Sequence, residues 1–160
     1  MSTNIFIRIG DIKGESHDTR HKDEIEVLSW AWGVSNTGTV SSSGGGSGRP
    51  SFQDVTFKHL IDRASPSLML ACATGEHFKE ARLTIRKMGT TTPQEFLVIG
   101  LQDVTVTSVQ SSGTAEAGGL VEYVTLHFAR VDFEYKGQNP DGSLDAGVHF
   151  RWDLQSHSTI

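Results

Sequence analysis

The segment Glu24–Ser35, EIEVLSWAWGVS, decides the fold because its apolar residues alternate as strand residues do, with one change of phase. The apolar side chains occupy first odd and then even positions: Ile25 and Val27, followed by Leu28, Trp30, Trp32 and Val34. Successive side chains of a strand point to opposite faces, so the segment is either bulged or apolar on both faces. A small domain rarely covers both faces of many strands, and leaving apolar area in water is costly, so the pattern favours a surface covered by a partner.

The remaining sequence predicts a mainly β protein. Further strand-like stretches are Asn4–Gly10, Phe52–Ile61, Lys79–Met88, Glu95–Gln110, Val121–Lys136 and Val148–Leu154. The stretch from Val121 changes phase as well, and in the stretch from Phe52 the side chains of Val55, Phe57 and His59 share a face. About seven or eight strands at this spacing are typical of an antiparallel barrel or sandwich. Because several are long and apolar in both phases, we expect subunits to assemble.

A single helix is predicted over Ser65–Gly75, SPSLMLACATG. Ser65 is a suitable N-cap with Pro66 at the first helical position, and Gly75 is a suitable C-terminal stop. Helical spacing then predicts an apolar stripe of Leu68, Met69, Cys72 and Ala73. Outside these elements, Gly- and Ser-rich segments at about 36–50 and 111–119 predict flexible loops, and Asn139–Gly142 predicts a turn.

Composition narrows the function classes. The 160 residues fit one domain, 1–160, and the net charge of −5 with scattered cations predicts no nucleic-acid partner. Cys72 stands alone, which excludes an intrachain disulfide and indicates folding in a reducing compartment. The N-terminus resembles no Sec signal peptide, and no apolar run reaches the roughly 18–20 residues of a membrane span, so we expect no membrane insertion.

Several motifs in order resemble the Hcp proteins of the bacterial type VI secretion system. They begin with Asp11–Ser16 (DIKGES, with Gly14, Glu15 and Ser16), His21, and Ile25–Gly33 (IEVLSWAWG, with Trp30, Trp32 and Gly33). They continue with Asp54–Lys58, Leu68–Gly75, Ala81–Lys87 (ARLTIRK), Val124–Val131 (VTLHFARV) and Val148–Leu154. The likeness covers nearly the whole chain, which makes it far more specific than any single motif.

The resemblance implies an antiparallel β-barrel of two packed sheets with one flanking α-helix, copies of which close into a hexameric ring. Stacked rings form the inner tube of a contractile apparatus with sheath, spike and baseplate proteins, and the tube is expelled and released into the medium. The lumen holds small effector proteins, which the protein carries and chaperones. The segment 40–49 is expected to protrude and to reach the next ring, and the short tail after Leu154 predicts the plain form without a fused toxin.

The residues of the segment Glu24–Ser35 are the candidates for contacts between copies and with the lumen. Trp30 and Trp32, two residues apart, lie on one side and are expected to anchor a core or an interface. Leu28 is a candidate interface residue, and Ala31, which faces the other way, is a candidate for lining the lumen. We expect no enzyme activity and no cofactor, because no paired-carboxylate or nucleophile arrangement emerges.

Two alternatives remain open from the sequence. Trp30 and Trp32 are also compatible with the sugar-stacking platform of a monomeric β-sandwich that binds carbohydrate. His17 and His21, with Asp18 and Asp23 nearby, are compatible with a metal-dependent hydrolase, although ligands four residues apart need a helix to converge and this segment reads as loop. A hydrogen-bonded loop is the favoured interpretation of these histidines. His59 and His127, which lie within strands, are predicted to be partly buried or at an interface.

Overall fold

The computed structural model describes residues 2–38, 48–88 and 92–160, and these residues form twelve strands and one helix. The strands are β1 (Thr3–Ile9), β2 (Ile25–Glu26), β3 (Ser29–Ala31), β4 (Val34–Asn36), β5 (Pro50–Phe52), β6 (Val55–Leu60), β7 (His77–Lys87), β8 (Gln94–Ser112), β9 (Val121–His127), β10 (Arg130–Tyr135), β11 (Val148–Asp153) and β12 (Ser158–Thr159). The helix is α1 (Ser65–Thr74). The mainly β fold with a single helix is therefore confirmed over the described part of the chain.

The 19-residue strand β8 organises a ten-stranded antiparallel sheet. Its first half pairs with β7 on one edge and β10 on the other, and its second half pairs with β9. From β7 the sheet continues to β1 and β2, from β9 to β6 and β3, and from β10 to β11 and β12. Strands β4 and β5 pair only with each other, as a separate two-stranded hairpin.

The predicted long strand Glu24–Ser35 is three short strands, because the chain changes partners in its middle. Val27 donates its N–H to Ile5 of β1 at 2.9 Å, whereas Leu28 donates its N–H to Lys58 of β6 at 2.8 Å. The inward-facing positions shift from odd to even at this crossing, where Leu28 and the next residue are both exposed. Of the two explanations of the phase change, the irregular strand is therefore the correct one. The crossing also connects β2, which pairs with β1, to β3, which pairs with β6.

The predicted strand Val121–Lys136 is interrupted for a related reason. Strands β9 and β10 follow the same edge of β8, but Phe128 and Ala129 lie between them and outside both. Buried side chains occupy even positions before the break and odd positions after it, as Leu126 and Val131 show. The change of phase in the sequence thus marks a break in the ladder.

The core is formed by inward-facing residues of the sheet together with one side of α1. Its most deeply buried large apolar side chains are Ile7, Ile9, Ile25, Phe57, Leu68, Leu83, Ile99, Leu101, Leu126 and Phe128. Val55, Phe57 and His59 are all buried, as predicted from their shared face. Among the described residues, no helix has the length and apolar character to cross a membrane.

The helix ends where predicted but begins and packs differently. Gly75 adopts a left-handed conformation with φ +69° and donates its N–H to Ala71, as expected of a C-terminal stop. The N-cap is Ala64 rather than Ser65, and the Ser65 hydroxyl instead accepts the Asp62 N–H at 3.2 Å, while Asp62 accepts the Ala64 N–H at 2.9 Å. The predicted apolar stripe is also wrong in part. Leu68 is buried and Cys72 is half-buried, but Met69 and Ala73 are exposed, because the face toward β8 is formed by Ser65, Leu68 and Ala71.

The two predicted loops and the turn have different outcomes. In the first predicted loop, about 36–50, Asn36 pairs with Pro50 at the end of the β4–β5 hairpin that adjoins the connecting segment. Residues 39–47 lie outside the described residues, as does most of the segment 40–49 that is expected to protrude. Near the second loop, β8 continues to Ser112, inside the predicted connection 111–119. The turn is confirmed, since Gly142, with φ +90°, donates its N–H to Asn139 at 2.9 Å.

Candidate functional site

The loop between β1 and β2 folds back on itself through backbone hydrogen bonds. Gly14 donates its N–H to Asp23 at 2.7 Å, Ser16 donates to Glu24 at 3.1 Å, and Asp23 donates to Ser16 at 2.9 Å. A Cβ at Gly14 would lie 2.5 Å from the Glu24 carbonyl oxygen, so only glycine permits this approach. Ser16 is buried and its hydroxyl accepts the Asp18 N–H. The predicted loop is thus a tightly ordered element.

Arg63, just before α1, holds one side of this loop. Its Nε donates to the Gly14 carbonyl at 2.6 Å and its Nη2 donates to Asp23 at 2.9 Å. In return, Glu15 accepts the Arg63 backbone N–H at 2.9 Å. The predicted signature residues Gly14 and Glu15 therefore connect the loop to the start of the helix.

His21 holds the other side of the loop. It is buried, and its Nδ1 lies 2.8 Å from Glu24 Oε2 while its Nε2 lies 2.8 Å from Glu95 Oε1 of β8. The imidazole stacks on Phe6 with ring centroids 4.5 Å apart, and the Arg86 guanidinium lies 4.8 Å from the centre of the Phe6 ring. Phe6 is therefore contacted by both an imidazole and a guanidinium, and His21 ties the loop to β8.

Asp18 and Arg86 form a nearly buried ion pair beside this stack. Both guanidinium Nη atoms donate to the carboxylate of Asp18, which also accepts the backbone N–H groups of Arg20 and His21. The hydrogen bond from Arg86 is the main reason that the pKa of Asp18 falls from its ordinary 3.8 to about 2. The carboxylate is thus ionised at neutral pH and neutralises a guanidinium that is only 4% exposed.

An exposed apolar patch adjoins this ordered loop. Leu28 is 53% exposed at the crossing from β1 to β6, and Leu60 and Ile61 at the end of β6 are exposed beside it. The three side chains line a hollow of about 300 Å³ with Glu15, Glu26 and Asp62. The hollow is thus apolar at its centre, with carboxylates around it. We call Leu28, Leu60 and Ile61 the apolar patch.

Trp30 and Trp32 both pack against the core, as their shared side predicts. The Trp32 ring lies within an aromatic cluster, with centroids 6.3 Å from Phe52 of the hairpin, 6.0 Å from Phe133 and 6.3 Å from Phe150. These contacts attach the β4–β5 hairpin to β10 and β11. Within the hairpin, Gly33 extends the pairing by one step, because its carbonyl accepts the Gln53 N–H. Because the Trp32 faces are used for packing, this geometry does not favour a sugar-stacking platform.

Ala31 is exposed on the opposite side of β3 from the two indoles. The outward positions of the neighbouring strands carry small hydroxyl side chains: Ser29 on β3, Thr56 on β6 and Thr125 on β9. The Thr56 and Thr125 hydroxyls lie 3.3 Å apart. We call the outward-facing residues Ser29, Ala31, Thr56, Lys58, Tyr123 and Thr125 the Ala31 face; its cationic member is Lys58, whose ammonium lies over the Tyr123 ring.

Comparison with known proteins identifies the family. The family model described as "Type VI secretion system effector, Hcp" matches residues 6–135. The chain belongs to the Hcp family. It is also similar to a curated Pseudomonas aeruginosa protein named "Protein hcp1", with 43% identity over 98% of each chain.

Solved Hcp structures have the same fold. The crystal structure of Hcp1 from Salmonella typhimurium is 35% identical, with a TM-score of 0.79 over 100% of both chains. A structure described as a type six secretion system protein reaches a TM-score of 0.92 at 27% identity, covering 99% of this chain and 100% of that chain. A type VI secretion system effector from Yersinia pestis is 32% identical, with a TM-score of 0.76 over 93% of this chain and 98% of that chain.

A buried contact between a histidine and a carboxyl group lies in the core of this Hcp protein, and sequence reasoning did not identify it. His59 Nε2 lies 2.9 Å from Glu122 Oε1, both side chains are fully buried, and Ser111 donates to the second carboxylate oxygen of Glu122. Burial also raises the pKa of the nearby Asp62 carboxyl. The sequence does indicate that Glu122 is buried, because the even positions of the strand from Val121 face inward and Glu122 shares them with Val124.

The remaining histidines do not form a metal site in the described part of the chain. His17 is exposed, whereas both ring nitrogens of His21 are engaged by carboxylates on opposite sides. Across residues 2–38, 48–88 and 92–160, no group of three or more His, Cys, Asp or Glu side chains is arranged to hold a metal ion. His59 is fully buried, whereas His127 is exposed and lies 2.8 Å from Asp54, so the prediction of partial burial is wrong for both within this chain.

Proposed function

We propose that this Hcp protein is a tube subunit of a type VI secretion system. Each chain forms one barrel domain over residues 1–160, six copies close into a ring, and stacked rings form the inner tube. Contraction of the surrounding sheath expels the tube toward a target cell. The protein needs no catalytic group or cofactor for this task, only stiff rings with complementary contacts.

The apolar patch carries the proposal. Leu28, Leu60 and Ile61 are exposed side by side, although burial of apolar area contributes about 25 cal/mol per Å². A second copy that covers the patch recovers this free energy. Head-to-tail contacts between unlike surfaces close into a ring when the rotation fits, so one such patch per copy is sufficient.

The ordered loop supports the patch mechanically. Glu15 borders the patch and is hydrogen-bonded to Arg63, while His21 ties the same loop to β8. A surface that is already ordered loses little conformational entropy when a partner binds. The signature residues Gly14, Glu15, Ser16 and His21 thus have a proposed role in assembly.

The Ala31 face suits the lumen. Ala31, Ser29 and the hydroxyl side chains beside them are small and almost uncharged, so they offer only weak and adaptable contacts to a passenger. Small effector proteins carried in the lumen can therefore be chaperoned without being held tightly. The segment 40–49 is proposed to reach the next ring; the packing of Trp32 against Phe133, which holds the β4–β5 hairpin, supports this proposal.

The other partners and the localisation follow from the same proposal. The tube contacts sheath, spike and baseplate proteins before firing, when it is cytoplasmic. It then reaches the medium or a target cell through the contractile machine.

Oligomeric state tests the proposal most directly. Size-exclusion chromatography with light scattering should report a mass of about six times 17.4 kDa, and negative-stain electron microscopy should show annular particles. Leu28→Lys should shift the mass toward the monomer without lowering the free energy of unfolding of the monomer, because the side chain is exposed. The matched control is Leu70→Lys on α1, another exposed leucine outside the patch, which should leave the ring intact.

Trp30→Ala is a second test, because this indole packs against the core beside the patch. Removing it should cost about 3–5 kcal/mol of unfolding free energy and lower the yield of rings. A wild-type chain that stays monomeric at every concentration would refute the tube proposal. Rings of normal mass from Leu28→Lys would refute the role of the patch alone.

A further inference from the structure

A second outward surface, on strands other than those of the Ala31 face, is dense in charge. Directly opposed positions across β1, β7, β8, β10 and β11 form one row, which is Arg8, Arg82, Gly100, Asp132 and Arg151. Like charges directly opposite each other destabilise a sheet, yet Arg8 and Arg82 are paired in this way. The row is therefore not explained by the stability of the isolated chain.

Gly100 leaves a hollow of about 390 Å³ in the middle of this row. A Cβ at Gly100 would find only the Asp132 carbonyl oxygen within 4 Å, at 3.9 Å, so there is room for a side chain of another molecule. Arg8 and Arg82 also line an adjacent hollow of about 210 Å³, to which Arg20 contributes. The two hollows share Arg8 and Arg82, and we call them together the trough; both guanidinium and carboxylate groups line it.

The cations of the trough are only partly neutralised. Arg8 lies 3.4 Å from Glu80, Arg151 lies 3.2 Å from Asp132, and Arg130 lies 3.0 Å from Asp153. Neither Arg82 nor Arg20 makes an ion pair with any described residue. The residues outside the description, 1, 39–47 and 89–91, contain no aspartate or glutamate that could supply one.

We propose that this trough binds a protein segment that carries carboxylate side chains, with Arg82 as the main anchor and Arg20 as the second. The planar guanidinium binds a carboxylate through two parallel hydrogen bonds, and the hollow at Gly100 admits the carboxylate-bearing side chain. The Arg8–Arg82 repulsion is then relieved when the segment is bound. The surface does not require ring closure, so it adds a partner site to the proposed tube subunit.

The mixed charge of the trough favours a protein partner over a nucleic acid. Glu80, Asp132 and Glu134 line the larger hollow with the arginines. These carboxylates would repel a continuous polyanion such as a nucleic acid. Protein surfaces that bind nucleic acids are instead usually strongly and uniformly positive. Glu24 and Glu95 also line the smaller hollow beside Arg20. A segment whose carboxylates are spaced by neutral residues can place its carboxylates at Arg82 and Arg20 and its neutral residues beside these acidic groups.

The test uses a short fluorescein-labelled peptide of alternating glutamate and serine, with fluorescence anisotropy at low ionic strength. The purified full chain should bind it, and the same peptide with glutamine for glutamate should not bind. Arg82→Gln should weaken binding by about fivefold, and a double variant with Arg20→Gln by more. Gly100→Val fills the hollow without changing charge and should weaken binding similarly.

Control variants distinguish binding at a defined site from non-specific attraction between charges. Lys58→Gln removes one positive charge from the Ala31 face and should leave the affinity unchanged, and Arg82→Gln should not lower the melting temperature, since it removes a like-charge pair. No binding, or equal losses from Lys58→Gln and Arg82→Gln, would overturn the proposal. Single-stranded DNA that binds as tightly as the peptide, with the same loss in Arg82→Gln, would overturn the choice of a protein partner. Because peptide binding and molecular mass are separate measurements, either proposal can fail while the other stands.

Discussion

The Asp18–Arg86 pair allows the stability of the ordered loop to be measured through pH. Asp18 is ionised in the folded protein well below its ordinary pKa, with a folded value of about 2 against 3.8. One unit of pKa corresponds to about 1.4 kcal/mol, so the ionised carboxylate stabilises the folded state by about 2 kcal/mol. Because the folded pKa is lowered, this contribution is fully present above pH 4 and is lost as the pH falls toward 2.

Asp18→Asn should therefore lower the free energy of unfolding at pH 7 by more than this amount. The amide keeps the shape of the side chain but leaves the Arg86 guanidinium, which is 4% exposed, without its counter-charge. Removing one partner of a buried ion pair costs about 3–5 kcal/mol. The difference between wild type and variant should then narrow by about 2 kcal/mol between pH 4 and pH 2, as wild-type Asp18 becomes protonated.

Urea denaturation followed by tryptophan fluorescence measures both quantities. The comparison needs the same oligomeric state in both proteins, so it is best made in the Leu28→Lys background if that change yields monomers. Asp11→Asn, which removes an exposed carboxylate at the other end of the loop, is the matched control and should change stability little. A loss below about 0.5 kcal/mol in Asp18→Asn at pH 7, the usual size of a surface change, would show that the pair does not hold the loop. A difference that stays constant from pH 4 to pH 2 would refute the lowered pKa.

Three further substitutions test the backbone and the buried charges. Gly14→Ala places a Cβ 2.5 Å from the Glu24 carbonyl oxygen and should cost about 1–3 kcal/mol or more in denaturant titrations, with reduced ring yield. Gly75→Ala, whose Cβ would meet nothing within 4 Å, tests left-handed strain alone and should cost about 1 kcal/mol, seen as a melting temperature lower by about 2–4 °C. Glu122→Leu leaves His59 buried without its partner and should cost about 3–5 kcal/mol, whereas adding His59→Phe should restore much of the loss; a double variant no better than the single one would contradict a paired role.

The fold was largely predictable because strand periodicity depends on local sequence. The phase changes after Val27 and after Phe128 marked real breaks in the sheet. Which partner the chain pairs with on each side of such a break is a property of the whole sheet, so the three short strands were read as one. The helix stripe failed for the same reason: β8, not the helix itself, determines that Leu68 is covered and Met69 is left exposed.

The candidate site was predictable only where a family motif pointed to it. Gly14 and His21 belong to that motif, but the pattern does not show what they contact. Their partners lie far along the chain, with Glu95 on β8 some 74 positions from His21. Polar residues such as Asp18 and Arg86 look like ordinary surface charges in a sequence, and only the packing of the loop on β7 buries them together.

The position of these charges explains how a polar loop can support the assembly that we propose. An apolar loop would be ordered by burial, but it would add exposed apolar area during folding and favour non-specific association. A loop fixed by His21, Asp18 and Arg63 avoids this, because each contact is directional and satisfied within the chain. The apolar patch beside Glu15 is then an area next to the loop that gains from a partner. Restricting the gain to a single patch on a rigid support favours one orientation between copies, which is the condition for closing a ring instead of forming an irregular aggregate.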